Sequence, residues 1–438
     1  MNLTSMHQPP KAASYNQHPY ALGPGGRIKY FSAVFFFCCA VLLMQPFPGM
    51  ALDFGLTVSQ SPEYTNTTSN DREGTLDYTG SYSPWISGEL ESSGIAKLYL
   101  SAKLTTTREG GEWKYGSLPI LFEIGRSEVS WRPASTVYLE AGRIPFQDPL
   151  GIIAAGLFDG AMGSVALGGK VRLTTGTFYT GLLYKETAKI VMTSRDAEQY
   201  TLSDTYFASR RILLSVGAEF PALTPRSSLV LNGLSQFDVN PKSDNEEFLH
   251  SQYLTAHYTM SLLDNLAMTG TGVFALRENQ DDVIANFAIA AGIDWEAPGD
   301  WQDMIQGEIR WSSGRVNKNI GAFMPVTSIA QGEVFSPPLS ALMPIKGKYT
   351  VRFLKTFSSS LEGTYFIRTD GETMAGTGYA PSSSRFLGGE LYGSLVWAPT
   401  SDIAVTAGAG VFFPGLGNVF DSDAPNLWKF AMGVILSF

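Results

Sequence analysis

Cysteine is almost missing from this chain: its 438 residues include two, Cys38 and Cys39, side by side in one apolar run near the N-terminus. Beyond residue 39 no disulfide or thiolate metal site can form. Histidine is nearly as scarce, with four in all, and beyond residue 51 only His250 and His257 remain. Neither belongs to a Gly-x-Ser-x-Gly elbow or a His-Glu-x-x-His helix, so the expectation is no catalytic residue, no metal and no cofactor. An excess of positive charge is absent too: 31 basic residues face 40 acidic ones, which disfavours nucleic acid as a partner. After residue 51 there is also no uninterrupted run of about 20 apolar residues, which excludes a helical-bundle membrane protein.

What the chain does contain begins with a targeting pattern. Arg27 and Lys29 precede the apolar run from Tyr30 to Met44, and Gln45-Pro-Phe-Pro-Gly-Met-Ala51 follows. A basic flank, a short apolar core and small residues at Gly49 and Ala51 read as a signal peptide cleaved after Ala51. Residues 1–51 are thus expected to be a signal peptide and 52–438 the mature domain. Its removal takes Lys11, Arg27 and Lys29 and no acid, leaving the mature chain more acidic still.

The mature chain is rich in period-two alternation, with 45 glycines and 12% aromatics in the whole sequence. At the C-terminus Trp428, Phe430, Met432, Val434, Leu436 and Phe438 share one face, while Lys429, Ala431, Gly433, Ile435 and Ser437 share the other. A strand of about 9 to 11 residues is long enough to cross a bilayer with one face on lipid. This segment resembles the closing strand of bacterial outer-membrane β-barrels. That resemblance implies a bacterial outer-membrane location, contact with membrane lipid, and recognition of Trp428 to Phe438 by the outer-membrane assembly machinery.

Alternating segments recur with brief turns, as around Arg132 to Ser135, Leu262 to Asn265, Glu296 to Asp303 and Ala398 to Asp402. Between them lie longer connections: Ser61 to Glu73, Thr105 to Gly116, Phe146 to Phe158, Lys185 to Thr205, Val239 to Glu247, Arg277 to Asp282, Gly314 to Lys346, Thr369 to Arg385 and Pro414 to Asn426. Short and long connections alternate, as in outer-membrane barrels. Giving each its pair of strands predicts an all-β, transmembrane antiparallel barrel of about 18 strands, poorly phased over Tyr78 to Ile95 and Ala161 to Leu183. Trp131, Trp295, Trp311 and Trp397 fall at strand ends, where an aromatic interface girdle belongs.

If the apolar series faces lipid, the other series faces the lumen, with Tyr138, Glu140, His257, Glu308, Arg310 and Arg352 as wall candidates, alongside Glu123, Glu128, Tyr253, Asp294, Glu362, Arg368 and Glu390. A mixed polar wall suits a barrel too wide to be filled by its own strands. Arg143 falls in the apolar series of Val137, Leu139 and Ala141, and needs a bulge or a position beyond the bilayer. The third long connection carries Leu150, Ile152, Ile153, Leu157 and Phe158, too apolar for an exposed loop. Folding inward would bury them and bring Asp148 and Asp159 to the channel, making Arg143, Asp148 and Asp159 the constriction candidates. Gly142-Arg-Ile-Pro-Phe-Gln-Asp148, with Asp159 beyond, resembles the corresponding region of 18-stranded substrate-selective porins such as the alginate-export family. The apolar residues of Gly314 to Lys346 suggest a second segment capping the mouth.

The resulting expectation is a porin-like channel for passive diffusion of small hydrophilic solutes. The alternatives are a surface-exposed structural or adhesin barrel without transport, and a secreted sandwich of two sheets. A plugged, energy-coupled importer is disfavoured because alternation starts at Leu52, leaving no room for a plug.

Overall fold

The computed structural model describes residues 52–66, 74–90, 95–114, 120–241, 248–279, 282–299, 301–316, 318–371, 384–420 and 424–438. The proposed signal peptide lies outside the described residues. Eighteen long strands form the wall. They are β1 (Leu52–Thr65), β2 (Thr75–Glu89), β3 (Ala96–Glu109), β4 (Leu121–Ala134), β5 (Val137–Gln147), β6 (Ala155–Leu167), β7 (Val171–Tyr179), β8 (Arg211–Thr224) and β9 (Ser227–Asp238). The second half comprises β10 (Leu249–Leu263), β11 (Leu266–Asn279), β12 (Asp282–Glu296), β13 (Met304–Ser312), β14 (Leu342–Leu354), β15 (Phe357–Arg368), β16 (Phe386–Thr400), β17 (Ile403–Phe413) and β18 (Leu427–Ser437). A two-residue ladder at Glu112–Trp113 only extends the hairpin end of β3.

Each strand pairs antiparallel with its neighbours in sequence, and β1 closes the ring on β18 through the register Val58↔Leu436 and Tyr64↔Phe430. Closure satisfies the backbone groups that an open sheet edge would expose to lipid. The period-two reading of the closing strand holds: Phe430 and Met432 are exposed outward, whereas Lys429 pairs with Glu63 at 3.2 Å on the opposite face. Outward positions elsewhere are apolar and exposed, including Val216, Leu254, Ile289 and Leu361. Trp131, Trp295 and Trp397 stand exposed beside short turns, with Trp301 and Phe353 in ring contact at the same end.

The two poorly phased stretches resolve into the hairpins β2–β3 and β6–β7. Three connections are shorter than expected. β11 ends at Asn279 and β12 starts at Asp282, so Arg277, Glu278, Asn279 and Asp282 are strand residues. β14 begins at Leu342, not after Lys346. Phe146 and Asp159 are strand residues, and the third connection is only 148–154. The segment 180–210 instead contains two short helices, α1 (Lys185–Ala188) and α2 (Ser194–Thr201). Thr193 caps α2 in a reciprocal box with Asp196, which fits the N-terminal preference for Thr and an acid three residues on.

One of the intervals of the wall not laced by a ladder lies beside β4. β4 and β5 pair only from Ser127↔Arg143 towards their short turn. Beyond it, side chains occupy the carbonyls of β4: Arg143 Nη1 donates to Ile124 O at 2.7 Å and Tyr206 Oη donates to Phe122 O at 2.6 Å. Gly142, at φ 128°, marks where the backbones part; a Cβ there would strike the backbone of Ser127.

Candidate functional site in the barrel lumen

Alternation places Tyr138, Glu140, His257, Glu308 and Arg310 on the inward face, as the sequence implied. Tyr138 Oη donates to Glu140 at 2.8 Å, and Arg310 Nε donates to Glu308 at 2.9 Å. Lys346 pairs with Glu362 at 2.8 Å, extending the charged wall over β13, β14 and β15. The two ring nitrogens of His257 contact the hydroxyls of Thr271 at 2.8 Å and Thr259 at 3.2 Å, so this histidine is a hydrogen-bonded wall residue. Arg352 differs: its guanidinium donates to Lys355 O in the β14–β15 turn, placing it at the rim.

The three constriction candidates have other placements. Arg143 keeps the regular register of β5 with β6. Ile144 and Phe146 alternate with it and are buried inward, which leaves Arg143 facing the other way, into the gap beside β4. There it forms a bidentate pair with Asp159, directly opposite on β6, at 2.7 and 2.8 Å, and donates to Leu182 O at 3.1 Å. Asp159 therefore serves the wall and does not reach the channel. Asp148 is 1% exposed, so it presents no carboxylate to a solute. Its oxygens accept from the backbone N–H groups of Leu150, Ile152, Ile153 and Ala154, at 2.8 Å for the last two. Burial pushes its pKa up, and these backbone donors pull it back. Asp148 is the internal template of the third connection.

That connection does pack inward. Ile152, Ile153 and Ala154 are buried with Ile144, Phe158 and Phe178 of the adjacent wall. The same cluster holds Tyr253 of β10, Val273 of β11, Ala288 of β12, and Phe323, Val326 and Leu339 of the segment 313–341. Val326 N donates to Ile153 O at 2.7 Å, Ser328 N to Lys189 O at 2.8 Å, and Tyr253 Oη to Met324 O at 2.7 Å. Further along, the N–H groups of Glu333, Val334 and Phe335 donate to the Glu390 carboxylate on β16 at 2.7, 3.0 and 2.7 Å. β6 and β16 stand eight strands apart by the shorter way around the ring, so this segment joins nearly diametric walls. A second apolar cluster, Val334 with Phe366, Leu387 and Phe412, seats its far end.

The part played by 180–210 was missed in the sequence. Leu183, Ile190 and Met192 belong to the inner cluster, and their apolar runs, Leu182-Leu183-Tyr184 and Ile190-Val191-Met192, were the available signal. The anchor of this segment had none. Arg211, wholly buried, reaches Asp196 at 2.6 Å and Asp238 at 3.3 Å, from three separate parts of the chain. Among the described residues, no group of three or more His, Cys, Asp or Glu side chains is arranged to hold a metal ion.

No protein-family profile and no curated protein matches the chain. Solved structures do. The outer membrane protein OpdK of Pseudomonas aeruginosa is similar at 10% identity over 89% of this chain and 98% of that one, with a TM-score of 0.60. OccK2 (OpdF) of the same organism is similar at 14% identity over 89% and 99%, also with a TM-score of 0.60. OccK2 in complex with glucuronate is similar at 12% identity over 88% and 98%, with a TM-score of 0.59. At such identities the likeness speaks for the fold, and over 89% of its length this chain is similar to the barrels of those Pseudomonas proteins.

Proposed function

We propose that this protein is a bacterial outer-membrane channel through which small hydrophilic solutes diffuse passively, with 148–154, 180–210 and 313–341 narrowing its bore. The observation that carries the reading is the segment bonded at one end to Tyr253 and Ile153 and at the other to Glu390, inside a ring whose wall is polar. A barrel serving only to display loops has no use for a strap anchored on opposite inner walls. One structural neighbour was crystallised with glucuronate, which agrees with a small polar solute. Apolar outward residues meet membrane lipid, residues 1–51 are removed on export, and Trp428 to Phe438 is the strand offered to the assembly machinery. Catalysis has no part in this reading.

Purified protein in planar bilayers is expected to give discrete conductance steps, and proteoliposomes to swell in small neutral, acidic and basic solutes at different rates. Deletion of residues 322–337 should raise the unitary conductance. Sealed bilayers from correctly folded protein would reject the channel and favour the display barrel.

A further inference from the structure

We propose that the inner wall of β2 to β5, at the short-turn half of the barrel, is a binding subsite for an uncharged pyranose ring. This rests on the channel reading and adds a ligand class to it. The site starts from Trp85 and Tyr99, whose rings are near parallel at 13°, with centroids 6.2 Å apart. Both lie in the inward series, since Tyr99 faces Glu128 across the β3–β4 register while Ile86 and Val129 alternate with them. The indole extends over Gly55 on β1, where a Cβ would come within 2.5 Å of its Cζ2. A glycine at that point lets the ring lie over the neighbouring strand and present a face.

Polar groups border this platform. Arg126 sits over the Tyr99 ring at 5.3 Å, and its Nε donates to Glu128 at 2.7 Å, with Nη2 on the second oxygen. Next along the wall, Tyr138 donates to Glu140, and Arg132 lies over the Tyr138 ring at 5.2 Å. Two guanidinium groups and two carboxylates thus flank the aromatics, and the set carries no net charge. Such a set offers donors and acceptors to hydroxyls while the rings meet the C–H face of a sugar. With its charges balanced, the set favours no net charge on the ligand, so a neutral ring is the better fit. Packing alone does not call for the arrangement, because neither ring belongs to the apolar clusters that seat the three inward segments.

The test uses the full mature barrel in detergent, titrated calorimetrically with methyl β-glucopyranoside, glucuronate and mannitol, the last having hydroxyls without a rigid face. The glucoside is expected to bind more tightly than either. Trp85→Ala should weaken it about tenfold, a loss of about 1.4 kcal/mol, while Trp85→Phe retains most of the affinity. Heat-modifiable gel mobility establishes that each variant is folded. Glucoside binding unchanged by Trp85→Ala, equal binding of mannitol, or tighter binding of glucuronate overturns the subsite. Conductance is measured separately: a barrel that binds glucoside without conducting would refute the channel and not the subsite.

Discussion

Glu390 offers the sharpest test of the internal strap. Its two oxygens accept three backbone N–H groups, those of Glu333, Val334 and Phe335, and charge-assisted bonds of this kind contribute about 1.5–3 kcal/mol each. Glu390→Gln keeps the length of the side chain but leaves one carbonyl oxygen as acceptor and turns an amide NH2 towards groups that only donate. Losing one bond outright and weakening the rest costs about 3 kcal/mol, or on the order of 100-fold in the opening equilibrium of this stretch. Hydrogen exchange followed by mass spectrometry on peptides covering 329–338 reads that equilibrium. The expected result is exchange faster by that order, with noisier open-channel current. The barrel itself should be unaffected, because its closure is carried by backbone ladders in which the Glu390 side chain takes no part. Exchange within twofold of the parent protein would mean that the strap is held by its apolar seat and that the carboxylate contributes little.

Other substitutions separate wall from lumen. Leu254→Arg, at an outward position 60% exposed near the middle of β10, should cost about 2–4 kcal/mol in urea unfolding from lipid vesicles. Arg143→Ala leaves Asp159 partly buried without its partner and should destabilise by about 3 kcal/mol in the same assay, with cation-to-anion permeability unchanged because the pair faces away from the lumen. A shift in permeability would place that pair on the solute path. Asp148→Ala strands four backbone donors and should release 148–154, raising conductance and protease sensitivity at that segment; wild-type conductance would remove it from the bore.

The strand framework was legible because a wall between lipid and water imprints a period of two on the residues that build it, as Trp428 to Phe438 illustrates. The same logic fails where the inner wall is dry. Ile144, Phe158, Leu213 and Val273 point inward yet are apolar, since segments folded into the ring cover them. For that reason alternation alone assigns Phe146 and Phe158 to a loop and Asp159 to the channel, where the structure has strand and wall. Cross-strand neighbours such as Arg143 and Asp159, or the junction of Asp196, Arg211 and Asp238, depend on register and on loop placement, neither of which alternation encodes.

A cylinder sewn from main-chain bonds resists splitting only as well as its most sparsely stitched line. Two lines share the fewest paired residues, β13 with β14 and β4 with β5; in the latter, above Ser127, the fastening passes to a guanidinium, a tyrosine hydroxyl and the chain from Leu182 to Phe207. Shortening 182–207 would therefore leave a slit facing the lipid, from which a sideways tear under force would spread.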